Sequence, residues 1–252
     1  MFGKLVKYEL KSIGKWYFIL YLLTVLVSII LGMMVTTVDR QNNYEIGQST
    51  LSALLVLIFV ALLVGLSIGT IFLVINRFYK NIFGREGYLT MTLPVTEHQI
   101  LLSKLLSSFI CVLMNGLVLG LSFFLVALPS LVKNGDQILA AFPEISTIFR
   151  HWELYMGIVY LFLSILASIL VIYLSIVVGQ TFHDRRILAS FVSYFLINIL
   201  MGIVWNFISD LFMSWNQFDL SYLIFGSIYQ LVISTIFYFI MVYLMKEHLN
   251  LQ

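Results

Sequence analysis

Long apolar runs alternate with short polar connectors along this chain. Six stretches, 16–38, 46–76, 105–132, 154–182, 187–209 and 220–245, contain no Asp, Glu, Lys, Arg or His. A bilayer core about 30 Å thick needs about 20 apolar residues per helix, at about 1.5 Å rise each. Every stretch clears that length. The second exceeds one crossing, so its span is placed near 51–76, with the excess leading in or tilting. Lipid cannot satisfy a free backbone amide, so the runs are predicted to be helices. A transmembrane barrel would show alternating segments of about ten residues instead of continuous runs. The fold predicted is an all-α polytopic membrane protein, residues 1–252 forming a single transmembrane domain with six spans.

Lysine and arginine set the orientation. With the N-terminus inside, eleven of the fourteen fall on cytoplasmic segments and only Arg40, Lys133 and Arg150 lie outside. Both termini are therefore expected in the cytoplasm, in a multi-pass plasma-membrane protein. Trp16, Tyr17, Trp152, Tyr155, Trp205 and Trp215 fall near span ends, where interfacial aromatics belong. The first span is too long for a signal-peptide h-region and lacks a clear small-residue cleavage site, so it is expected to stay as an anchor.

Composition narrows the function. Hydrophobic residues make up 61% of the chain and charged ones 10%, against roughly a quarter charged in soluble domains. Those few charges could not cover the surface of a water-soluble globule, which argues against a soluble enzyme or a nucleic-acid binder. The lone Cys111 cannot form an internal disulfide. No Asp, Glu, Lys, Arg or His is expected in a span core, where a charge usually marks an ion path. That argues against a proton-coupled transporter, a voltage sensor and most intramembrane hydrolases.

Residues 1–15, MFGKLVKYELKSIGK, read as an interfacial amphipathic helix. Lys4, Lys7, Lys11 and Lys15 fall within about an 80° arc at 100° per residue, with Phe2, Leu5, Val6, Leu10 and Ile13 on the other side. Glu9 points into the apolar side, where a carboxylate needs a partner. The helix either anchors the N-terminus or packs as an elbow beneath other spans, with Glu9 in that contact.

The connector RFYKNIFGREGYLTMTLPVTEHQILLSKLL, residues 77–106, mixes charges with large apolar side chains. Phe78, Phe83, Tyr88, Leu89, Met91 and Leu93 are more than a solvated loop needs. Gly84 and Gly87 flank Arg85 and Glu86, which suits a tight turn. Pro94 breaks helix and Thr96 can cap the next one. A short helix near 77–83, a turn, an extended stretch over 88–94 and entry into the third span are expected. The apolar side chains serve either a partner or packing against this chain's own helices.

The stretch GREGYLTMTLPVTEHQILLSKLL, residues 84–106, resembles the first cytoplasmic loop of bacterial ABC-2-type transporter permeases. The likeness centres on Glu86, Gly87, Tyr88, Leu89, Thr90, Thr92, Leu93, Pro94 and Val95. Six spans, a basic N-terminal helix and both termini inside fit the same family. The resemblance implies an N-terminal elbow helix and a second permease subunit completing a dimer. It also implies a separate cytoplasmic ATP-binding subunit carrying ATP and Mg. The loop would be the coupling element docked on that ATPase, with Phe83, Gly84, Arg85, Glu86, Gly87, Tyr88, Leu89, Leu93 and Pro94 as its candidate residues. His183, Asp184, Arg185 and Arg186, in the second cytoplasmic loop, either orient the hairpin by charge or add a second ATPase contact.

No Gly-x-x-x-x-Gly-Lys-Ser/Thr occurs, since Gly14 and Lys15 are followed by Trp16 and lack the upstream glycine. The chain is therefore expected to hold no nucleotide cofactor of its own and to be no enzyme by itself. His98, His151, His183 and His248 are too scattered for a metal site. Ser164, Ser168 and Ser175 have no base beside them. Asn115, Gln180, Asn198, Asn206 and Gln230 either bond between helices or line a path. Gly65 with Gly69, and Gly116 with Gly120, permit close helix approach. In the outer loop, Ile138, Phe142, Ile145, Phe149 and Trp152 recur at helical spacing around Pro143, which predicts two short interfacial pieces. The reading favoured is an exporter subunit for hydrophobic or amphipathic peptides, lipid-like molecules or drugs, surrounded by membrane lipid. The alternatives are a substrate-capturing component of an importer and a non-transporting scaffold or sensor.

Overall fold

The computed structural model describes residues 2–11, 15–38, 46–84, 96–133, 135, 151–182, 185–212 and 220–247. Among the described residues seven helices follow in order: α1 Phe2–Lys11, α2 Lys15–Val38, α3 Ile46–Ile82, α4 Glu97–Lys133, α5 Trp152–Gln180, α6 Arg186–Phe212 and α7 Leu220–Glu247. No strand occurs among the described residues. All but α1 are long and apolar enough to cross a membrane, which matches the six predicted spans. Apolar side chains cover much of the surface, among them Phe18, Leu57, Phe72, Leu117, Phe191 and Phe207. A patch of that extent is unfavourable in water and suits a lipid environment.

In α1, Leu5, Val6 and Glu9 are half-buried while Lys7, Tyr8 and Lys11 are exposed, so the described side chains divide into a covered and an open face. Glu9 is not without a partner, as its place on the apolar side requires. Lys4 and Lys15 lie in helix, with side chains outside the described set.

Two predicted boundaries change. The short helix near 77–83 is not separate: α3 runs unbroken from Ile46 to Ile82. Between Thr70 and Phe83 there is no glycine or proline, and the charges of Arg77 and Lys80 do not interrupt a helical backbone. The fourth helix begins at Glu97, eight residues ahead of the predicted span. The Thr96 carbonyl accepts from the Ile100 amide at 3.2 Å, which places Thr96 at the N-cap position. The helix then continues through Pro129 to Lys133.

The chain divides into two compact units. One holds residues 7–73 and 110–146. Within it, the Tyr17 hydroxyl donates to the Leu66 carbonyl at 3.2 Å and pairs with Thr70. Phe59 meets Phe123 edge-on at 6.0 Å. Gly32 lies against α4 where Pro129, lacking an N–H, cannot bond the Leu125 carbonyl. A Cβ on Gly32 would sit 2.7 Å from that oxygen and 3.2 Å from the proline ring. The pairing of a small residue with an interrupted helix turn lets the two backbones approach.

The other unit holds residues 1–6, 74–109 and 147–252. Its centre is α5, which packs against both α6 and α7. Half of the spanning window of α5 is buried, against none of that of α6. The α5–α6 hairpin closes on Gly179: a Cβ there would meet the Ser190 hydroxyl, and would lie 2.6 Å from the Ser190 nitrogen. Farther along, Trp205 packs on Tyr229 at 5.0 Å and on Tyr222 at 5.3 Å. The Tyr229 hydroxyl donates to the Met201 carbonyl at 2.6 Å, tying α6 to α7.

Candidate functional site

The connector between α3 and α4 is anchored at both flanks within the second unit. On the α3 side, Val74, Phe78 and Ile82 recur every four residues and are buried, the last two fully. On the α4 side, Ile100, Leu101, Lys104, Leu105 and Ser108 form the corresponding buried stripe. Tyr173 of α5 joins the two flanks. Its ring stacks on Phe78 with centroids 3.8 Å apart and planes 13° from parallel. Its hydroxyl donates to the Lys104 carbonyl at 3.2 Å, and the Ser108 hydroxyl lies 2.7 Å from it. With the single tyrosine proton spent on Lys104, Ser108 is the donor of the shorter bond. Both buried hydroxyls are thereby satisfied.

Phe83 extends the aromatic group toward the connector. Its ring lies 6.2 Å from both Phe78 and Tyr79. Its amide bonds the Tyr79 carbonyl at 2.8 Å, and the Gly84 amide reaches Tyr79 at 3.1 Å and Lys80 at 3.2 Å. A side chain on Gly84 would strike the Lys80 carbonyl, so glycine is what the end of α3 accommodates. At the start of α4, His98 Nδ1 lies 2.8 Å from the Tyr238 hydroxyl of α7, fixing the far flank as well.

Charge gathers at this end of the unit. Arg77 is half-buried and Lys80, Arg185, Arg186 and Lys246 are exposed. Lys104, expected among the cytoplasmic charges at the edge of the third span, is instead only 4% exposed. It is not without a partner, as a buried ammonium requires. What differs from the sequence expectation is its burial: Lys104 lies inside α4, because the helix begins two turns ahead of the apolar run that starts at Leu105.

Of the coupling residues named from the sequence, Phe83 and Gly84 are placed here. Arg85, Glu86, Gly87, Tyr88, Leu89, Leu93 and Pro94 lie outside the described residues, as do His183, Asp184 and the predicted outer-loop pieces. Tyr173 and Ser108 were missed. Their only signal is a tyrosine in an aliphatic part of α5 and one of several serines early in α4, and composition does not pair them across 65 residues.

Other candidates resolve more simply. Ser164, Ser168 and Ser175 each donate to the carbonyl three residues back, and Asn198 donates to its own helix at Tyr194. The amide oxygens of Asn115 and Gln230 are buried without a hydrogen-bond partner. Gly65, Gly116 and Gly120 face open space and Gly69 meets Tyr17 at ordinary contact distance, while among the described residues the tight approaches between helices fall at Gly32, Gly179 and Gly226.

The arrangement provides a closely packed mount: a stacked aromatic pair and two hydroxyl bonds joining the α3 and α4 flanks of the connector to α5. Comparison with protein-family models, curated proteins and solved structures finds no match for this chain.

Proposed function

We propose that this chain is the membrane-spanning permease subunit of an ATP-driven exporter of the ABC-2 kind. It works as a dimer above a separate ATP-binding subunit, which supplies ATP and Mg. The observation that carries the reading is the anchoring of both flanks of the 85–95 connector by Phe78, Tyr173, Ser108 and His98. A lever transmits force only if its base does not yield, and this base is closely packed. The likeness of residues 84–106 to the coupling loop of such permeases points to the same segment. In this reading α1 is the elbow helix, the charged end faces the cytoplasm, and the cargo is a hydrophobic or amphipathic peptide, lipid-like molecule or drug.

The test is biochemical. Purified alone, the chain should neither bind nor hydrolyse ATP. Affinity purification from its own membranes in mild detergent should bring down an ATP-hydrolysing subunit. Robust hydrolysis by the isolated chain, or purification without any such subunit, overturns the reading.

A further inference from the structure

At the α5–α6 turn a groove of about 560 Å3 opens on the face of α6, a volume within the range of small-molecule sites. Its wall is one row of α6, Leu188, Val192 and Leu196, whose spacing of four residues keeps them on one slanting ridge. Its floor is the adjacent row, Ala189 and Ser193, both half-buried and short. Phe182 closes one side at the mouth, and Arg185 stands there as the one charged group of the lining. The next residue, Arg186, is also exposed and adds a second positive charge. The Ser193 hydroxyl aside, polarity is thus confined to one end of an apolar trough.

The dimensions match one molecule class. From Leu188 to Leu196 is eight residues, about 12 Å along the helix axis. One leaflet of hydrocarbon is about half of the 30 Å bilayer core. A guanidinium at the mouth suits a phosphate, which it can grip through two N–H groups. We propose that this groove binds one anionic phospholipid of the adjacent leaflet, with the headgroup phosphate on Arg185 and an acyl chain along Leu188, Val192 and Leu196. Charge complementarity selects the anionic headgroup, and Ala189 and Ser193 leave room for the chain. The site would hold α6, otherwise the least buried of the six crossing-length helices, to a defined lipid neighbour.

The test uses the full chain in vesicles of equal parts dioleoyl phosphatidylglycerol and dioleoyl phosphatidylcholine. After extraction in mild detergent, retained lipid is counted per chain by native mass spectrometry. Retained lipid should be enriched in phosphatidylglycerol. Arg185→Gln should cut that enrichment about fivefold, the equivalent of about 1 kcal/mol for one basic residue at an anionic surface. Arg185→Lys should keep most of it. Ala189→Trp, which fills the floor and leaves the charge, should lower retention of both lipids. Lys246→Gln, removing an exposed cation elsewhere at this end, should leave enrichment unchanged. All these positions are exposed or half-buried, and each variant is checked for an unchanged gel-filtration profile. Equal retention of the two lipids, or full enrichment in both Arg185→Gln and Ala189→Trp, overturns the proposal. Loss of a bound ATP-binding subunit in Arg185→Gln with lipid retention unchanged also overturns it, and reassigns the arginine to protein docking.

Discussion

At the scale of single residues, Tyr173 and Phe78 carry different shares of the mount, and the difference is measurable. Removing the Tyr173 hydroxyl leaves the ring stack intact. Ser108 can then turn its proton to the Lys104 carbonyl four residues back, as helical serines do. Tyr173→Phe should therefore cost only about 0.6–1 kcal/mol, the range of hydrogen bonds within membrane proteins and in general. Phe78→Ala empties a fully buried site. The transfer part of its cost shrinks where lipid replaces water, but lost contacts remain, so about 2 kcal/mol or more is expected. Unfolding in mixed micelles should rank the two variants in that order. Equal losses would mean that the hydroxyl bonds, not the stack, hold the flanks. The apolar weight around the connector was legible in the sequence because Phe78 and Phe83 stand out among charges. Tyr173 was not, since a stacking partner ninety-five residues away leaves no local signature. Lys104 was legible as a charge but not as a buried one, because burial depends on where the helix begins.

At the scale of elements, existence and type followed from the sequence because uninterrupted apolar runs in lipid have only one backbone solution. Ends were less legible. Loss of hydrophobicity marks where a span leaves the core, whereas a helix ends only where backbone bonding stops. Hence α3 continues past Asn76 to Ile82 and α4 starts at Glu97. Packing was least legible. Glycine pairs at four-residue spacing are candidates for close approach, yet the tightest contacts between helices fall at Gly32, Gly179 and Gly226, outside those pairs. Gly179 gives the strongest prediction. Any Cβ there collides with the Ser190 backbone, which cannot move without displacing α6. Gly179→Ala should lower stability by at least about 1–3 kcal/mol, the usual range for overpacking. Gly65→Ala, facing open space, should change little and even gain helix propensity. Paired melting curves of the two variants check this. A tolerated Gly179→Ala would mean that the α5–α6 hairpin is looser than described.

For the whole molecule, the six crossing-length helices make topology testable by labelling. With Cys111 replaced, single cysteines at Asn43, Asn134 and Gln217 should react with an impermeant reagent outside sealed cells, and those at Asn81 and Asp184 should not. Reaction at position 81 or 184 would reverse the proposed orientation. The central claim is that the chain grips a separate ATP-binding subunit through the connector rooted on Phe78 and Tyr173. Phe83, Tyr88 and Leu89 are proposed as the apolar centre of that contact, with Arg85 and Glu86 at its rim. Apolar anchors at an interface centre often cost about 2 kcal/mol each on truncation, and rim charges far less. The most direct measurement is retention of the ATP-binding subunit on immobilised chain, comparing the native sequence with the combined Phe83→Ala, Tyr88→Ala and Leu89→Ala variant at equal expression. The account predicts that retention falls more than about tenfold, with ATP hydrolysis in the complex lost in parallel. Unchanged retention and hydrolysis in the triple variant would contradict it.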